Sequence, residues 1–149
     1  MSSAVLGLAV CKGKNYSDKD HLSIDWATKI SANPGGAGPE NDSESKLKAA
    51  NLRGEGFALY QQKRDADAIR KYEAALDLYA DDVIYYDYAN SLSNIEGRLG
   101  DSIKAYEIGM AISKNPSANL YYNLACAQSR AGEPLAAIEN LRLALKRIG

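Results

Sequence analysis

The sequence predicts an all-α fold, in which six antiparallel helices stack as three helix–turn–helix repeats of a right-handed α-solenoid behind a flexible N-terminal arm. Three observations predict it. One short pattern recurs three times at near-constant spacing, a second pattern precedes each copy, and glycine- or proline-bearing breaks separate the helical stretches.

The first pattern runs through Ala68, Tyr72, Ala75 and Leu76, then Ser102, Tyr106, Gly109 and Met110, then Ala137, Leu141, Ala144 and Leu145, at offsets of 34 and 35 positions. In each copy a small residue precedes a large one by a helical turn, and a second small residue follows. Small side chains along one stripe let a neighbouring helix approach closely while the large one fills the space beside it. The second pattern is Leu52, Glu55, Gly56 and Leu59, then Tyr85, Tyr88, Ala89 and Leu92, then Tyr121, Leu124, Ala125 and Gln128. Breaks are expected at residues 97–100, at Asn115-Pro116 and at residues 132–134, where Gly and Pro interrupt the helical period. The middle copy carries one extra residue in its turn. Without that insertion the pattern would start at Tyr86 and bury the Asn90 amide at the tight small site, with no obvious partner.

The N-terminal third reads differently. Residues 31–43 hold Pro34, Pro39, three glycines and small polar residues, too little apolar surface to offset the entropy of ordering. Just upstream, Leu22, Trp26 and Ile30 follow helical spacing in a weakly determined element. Asn41 with Glu44 offers a capping-box start for the first helix. The expected division is an arm and linker over residues 1–43 and a repeat domain over residues 44–149.

Composition excludes several functions. Eighteen basic against nineteen acidic side chains give a net charge of −1, without the cationic surplus of a nucleic-acid binder. Cys11 and Cys126 form neither a disulfide framework nor a metal-ligand spacing, and Cys126, inside a helical pattern, is expected to stay reduced. His21 stands among solvating aspartates, and Gly35, Gly36 and Gly38 lack the Lys-Ser/Thr of a phosphate loop. The adjacent Asp81 and Asp82 fall at a helix handover, where capping explains them better than acid–base work. No catalytic residue, metal ligand or cofactor is expected, and the chain is read as no enzyme. The longest apolar run, residues 4–11, is far short of the ~20 residues that span a bilayer. It has no basic residue before it, yet its end at Cys11 is similar to the tail of a bacterial lipoprotein signal. A cytoplasmic location is expected, with an envelope tether through Cys11 as the alternative.

From about Leu47 to Ile148 these patterns resemble the tetratricopeptide repeat, whose period and spaced small and large positions they follow. The third copy, residues 121–145 with Gly132 at its turn, is the most faithful. The resemblance implies a non-catalytic protein-interaction module whose first helices line a concave groove for a peptide or protein segment. Carried onto this chain, the groove residues are Arg53, Phe57 and Tyr60, then Tyr86, Asn90 and Ser93, then Tyr122, Cys126 and Ser129, with Asn94, Asn119 and Arg130 at the edges. Tyr72, Tyr85, Tyr88, Tyr106 and Tyr121 fall at packing positions instead. The carboxylate clamp of chaperone-binding members is absent: Phe57, Asp87, Asn119 and Asn123 replace residues it needs. A lipid-tethered envelope protein and a small secretion-chaperone-like protein are the alternative functions. The stripe Leu141, Leu145 and Ile148 meets no later helix, which suggests a homodimer through the last repeat.

Overall fold

A computed structural model describes residues 42–148. They form α1 (Asp42–Gln61), α2 (Asp65–Leu78), α3 (Asp82–Leu92), α4 (Leu99–Ile112), α5 (Ala118–Arg130) and α6 (Pro134–Ile148). The arm, with Cys11, His21, Trp26 and the Asn41 capping position, lies outside the described residues. Helices pack in sequential pairs: α1 on α2, α3 on α4 and α5 on α6, with α2 against α3 and α4 against α5 joining the repeats. Among the described residues no helix is long and apolar enough to cross a membrane.

The small positions explain the pairing. Ala68, Ala75, Ser102, Gly109, Ala137 and Ala144 on the second helices are all buried, as are Gly56, Ala89 and Ala125 on the first. The insertion in the middle repeat is confirmed, since Ala89 occupies the tight site and Asn90 stays partly exposed. Its turn spans residues 93–98, against 62–64 and 131–133 in the other repeats. One boundary differs from the expected break at residues 97–100. Helix α4 starts at Leu99, so Gly100 is already helical. Leu99 is buried, and the Arg98 guanidinium holds the buried Asp101 carboxylate one turn on, which fixes that first turn. Asp81 does act as a cap, its carboxylate accepting from the Val83 amide at 2.8 Å. Ser117 caps α5 in the same way, accepting from the Leu120 amide at 3.2 Å.

Each intrarepeat turn needs one residue with positive φ. Gly97 (81°) and Gly132 (82°) supply it in the second and third repeats, whereas the equivalent position of the first is Lys63 (61°). An L side chain in this left-handed region costs roughly 1–2 kcal/mol, of which glycine's greater unfolded-chain entropy returns about half when it replaces the side chain. Lys63→Gly is therefore expected to stabilise the chain by ~0.5–1 kcal/mol and Gly132→Ala to destabilise it by ~1–2 kcal/mol. Urea midpoints of the two variants check this; a loss of stability in Lys63→Gly would contradict the turn geometry.

The buried side chains divide unevenly. One cluster runs from Ala49 through Tyr72, Tyr85, Tyr88 and Tyr106 to Leu120 and Leu124, joining the first two repeats and the inner side of α5. A small second cluster of Ala125, Ala137 and Leu141, with Tyr122 against it, lies within the last repeat. Tyr72, Tyr85, Tyr88, Tyr106 and Tyr121 are all buried, as their spacing predicts. Burial pushes the Tyr85 hydroxyl up to about 12. It raises those of Tyr72 and Tyr88 further, so these phenols stay protonated.

Candidate functional site

The first helices place their partly exposed side chains on a common face because positions one and two turns apart share a side of a helix. On that face a concavity of about 290 Å³ is lined by Tyr60 from α1, Tyr86 and Asn90 from α3, and Asn123, Cys126 and Arg130 from α5, with Ser93, Asn94, Tyr106 and Ala127 completing it. Its floor is a hydrogen-bonded network. Asn123 Nδ2 donates to Tyr86 Oη at 2.9 Å and to Asn90 Oδ1 at 3.2 Å. The Tyr106 hydroxyl donates to the same Asn90 oxygen. Burial holds the Tyr106 phenol well above its ordinary range, so it remains a donor. At the rim, Ser93 Oγ donates to the Asn90 carbonyl at 2.7 Å and Arg130 Nη2 to the Ser93 carbonyl at 2.8 Å. Asn94 Nδ2 donates to Asp65 Oδ1 at 3.2 Å, tying the edge of the second repeat to the start of α2.

Tyr60, Tyr86, Asn90, Asn94, Cys126 and Arg130 thus line one concavity, with Ser93 beside them. Arg53, Phe57, Asn119 and Tyr122 do not line it. Phe57 is 39% exposed beside Tyr60, their rings stacked with centroids 6.1 Å apart, and the Arg53 guanidinium lies 5.9 Å above the Phe57 ring. The same guanidinium is committed to the buried Asp87, Nε to Oδ2 at 2.6 Å. Asn119 is exposed near the start of α5, and Tyr122 rests on the small cluster of the last repeat.

Two of the lining residues escape sequence reasoning. Asn123 lies one position past Tyr122, off the expected rows, and Tyr106 reads as core because its ring is core while only its hydroxyl reaches the face. Cys126 requires a correction. Its sulfur is engaged in a disulfide, where the sequence suggested a reduced thiol. The physical reason is its position, since it is partly exposed on the lined face and therefore reachable, not sealed in a helix interface.

A larger opening of about 560 Å³ lies where the repeats join, between Lys46, Tyr79, Asp81, Asp82, Ile112 and Lys114. It is less suited to recognition, because the Asp81 carboxylate there is spent on capping α3 and Lys46 already lies over the Tyr79 ring. The outer side of α6 differs from both. Leu135 (83%), Leu145 (48%) and Ile148 (75%) are exposed, whereas Leu141 turns inward onto Ala125 and Ala137 and leaves the stripe to which its spacing assigned it. Among the described residues no group of His, Cys, Asp and Glu could hold a metal ion.

Six helices in sequential pairs, with small residues at every repeat contact, define a helical-repeat protein. Over 99 residues the chain is 31% identical to human tetratricopeptide repeat protein 33. The match spans 66% of this chain and 37% of that protein, so the chain covers little more than a third of its relative. No family model matches. The repeats are tetratricopeptide repeats, and the chain is a distant relative of that human protein.

Proposed function

We propose that the chain is a non-catalytic protein-interaction module that takes an extended peptide or protein segment on its first-helix face. The observation that carries this reading is the lined concavity, where amides and phenols from three helices are held in place by one another and remain partly exposed. Pre-organised amides offer donors and acceptors to a peptide backbone without the entropy cost of ordering them at binding. Tyrosines add rigid contact area. The proposed contacts are Tyr60, Tyr86, Asn90, Asn94, Asn123 and Arg130 inside the concavity, with Arg53, Phe57, Asn119, Tyr122 and Cys126 extending the surface.

Capture from a lysate of the source organism tests it, with wild type beside Tyr86→Ala/Tyr122→Ala. The expected result is loss of captured partners by a variant that keeps its helical circular dichroism. A folded double variant that captures the same partners as wild type would refute the reading.

The same reading includes self-association through Leu135, Leu145 and Ile148 on α6. Light scattering behind size exclusion is expected to give about twice the 16.1 kDa chain mass, reverting to a monomer in Leu145→Glu. A wild-type monomer at micromolar concentration would retire the dimer.

A further inference from the structure

We infer that the chain's own N-terminal arm occupies the concavity when its thiols are oxidised, held there by a disulfide between Cys126 and Cys11. The inference rests on the proposal that this face accepts extended peptide, and it names the first such peptide. Three observations carry it. The Cys126 sulfur is engaged in a disulfide, and it lies among the residues that line the concavity. The sequence holds two cysteines, so a bond within the chain can be made only with Cys11. The length of chain between them fits.

That length can be weighed. A coil of roughly 30 residues, the stretch from Cys11 to the start of α1, has a root-mean-square span of about 30 Å. Helix α1 is also about 30 Å long at 1.5 Å per residue, and successive packed helices lie roughly 10 Å apart. The span therefore matches the distance from the head of α1 to the middle of α5. A tether whose span matches the gap gives the highest effective concentration of one thiol at the other, in the millimolar range.

The bond forms by thiol–disulfide exchange with a small-molecule disulfide such as oxidised glutathione. One cysteine thiolate attacks it, forms a mixed disulfide and releases one glutathione thiolate. The second cysteine thiolate then attacks the protein sulfur of that mixed disulfide and releases the other. Both electrons reside on two glutathione thiolates, which take up the two protons the cysteines lost. Once closed, the bond places the residues around Cys11 over Tyr86, Asn90 and Asn123, where they compete with any outside peptide. In a reducing compartment the arm is released and the face is open.

The test uses the full chain, equilibrated in buffers rich in oxidised or in reduced glutathione. Expected in the oxidised sample is a monomer that yields, on non-reducing digestion, residues 1–12 linked to residues 115–130. Trypsin should cut after Lys12 and Lys14 at least tenfold more slowly than in the reduced sample, and nitration of Tyr86 should fall severalfold. Cys11→Ser, altered outside the helical repeats, should lose both redox effects while its melting temperature matches reduced wild type. Two free thiols after oxidation, a disulfide-linked dimer, or a linked monomer with unchanged cleavage and nitration would each overturn the inference. None of these measurements needs an outside partner, so they fail or succeed apart from the capture experiment.

Discussion

Gly56→Ala is expected to destabilise the chain by about 1–3 kcal/mol, whereas Gly54→Ala on the same helix is expected to stabilise it by about 0.5–1 kcal/mol. A Cβ added at Gly56 would lie 2.7 Å from Cε1 and 2.9 Å from Cδ1 of the Tyr72 ring, well inside the ~3.5–4 Å separation of carbons in contact. Tyr72 is wholly buried, so the ring cannot swing aside without moving α2 away from α1. Alanine returns about 1 kcal/mol of helix propensity, which the overlap exceeds. At Gly54 nothing lies within 4 Å, so there the propensity gain acts alone. Urea unfolding of the two variants gives the comparison directly. Equal stabilisation by both would mean that α1 and α2 do not meet at Gly56, and the repeat register would fall with that contact.

That contact was legible because a residue at a close helix crossing has little chemical latitude. Only Gly, Ala or Ser fits, so Gly56, Ala89 and Ala125 stand out once copies are aligned. The turns were legible for the same reason at Gly97 and Gly132, where positive φ selects glycine. Lys63 hid the first turn, because a lysine there gives no sign that the backbone needs that conformation. The lined face was less legible. Helical spacing brought Tyr60, Tyr86, Asn90, Cys126 and Arg130 to one side, but spacing within one helix says nothing about bonds between helices. Asn123 reaches Asn90 and Tyr86, and Arg53 reaches Asp87, across a full repeat. Such pairs emerge only when adjacent first helices are read against each other. Leu141 was misassigned because α6 has to bury some apolar side against α5, and a stripe drawn on one helix does not say which side.

Removing Arg53 is expected to give a stability loss that grows with pH. Asp87 is nearly enclosed, and desolvation raises its carboxyl above the ordinary range; the Arg53 hydrogen bond and charge offset part of that rise, while Asp81 adds to it. A folded value above the unfolded one means that Asp87 favours folding most when protonated, below about pH 4, and loses that contribution as pH rises through the folded value. At neutral pH the buried carboxylate is a cost that Arg53 reduces. In Arg53→Met the stem still packs on Phe57, but the carboxyl rises further and its ionised form is left alone. Wild type and variant should then differ near pH 3 only by the lost cation–ring contact, ~0.5–1 kcal/mol. By pH 7 the difference should widen by a further ~1–3 kcal/mol, less than for a fully enclosed pair because the Arg53 side chain is 38% exposed and screened by solvent. Adding Asp87→Leu to Arg53→Met should remove the widening, since no buried charge remains to strand. Urea midpoints across pH 3–7 for the three proteins decide it. Parallel curves for wild type and Arg53→Met would show that the guanidinium does not stabilise the Asp87 carboxylate. It would then be available to a bound peptide at full strength, and not already half-committed to the protein's own fold.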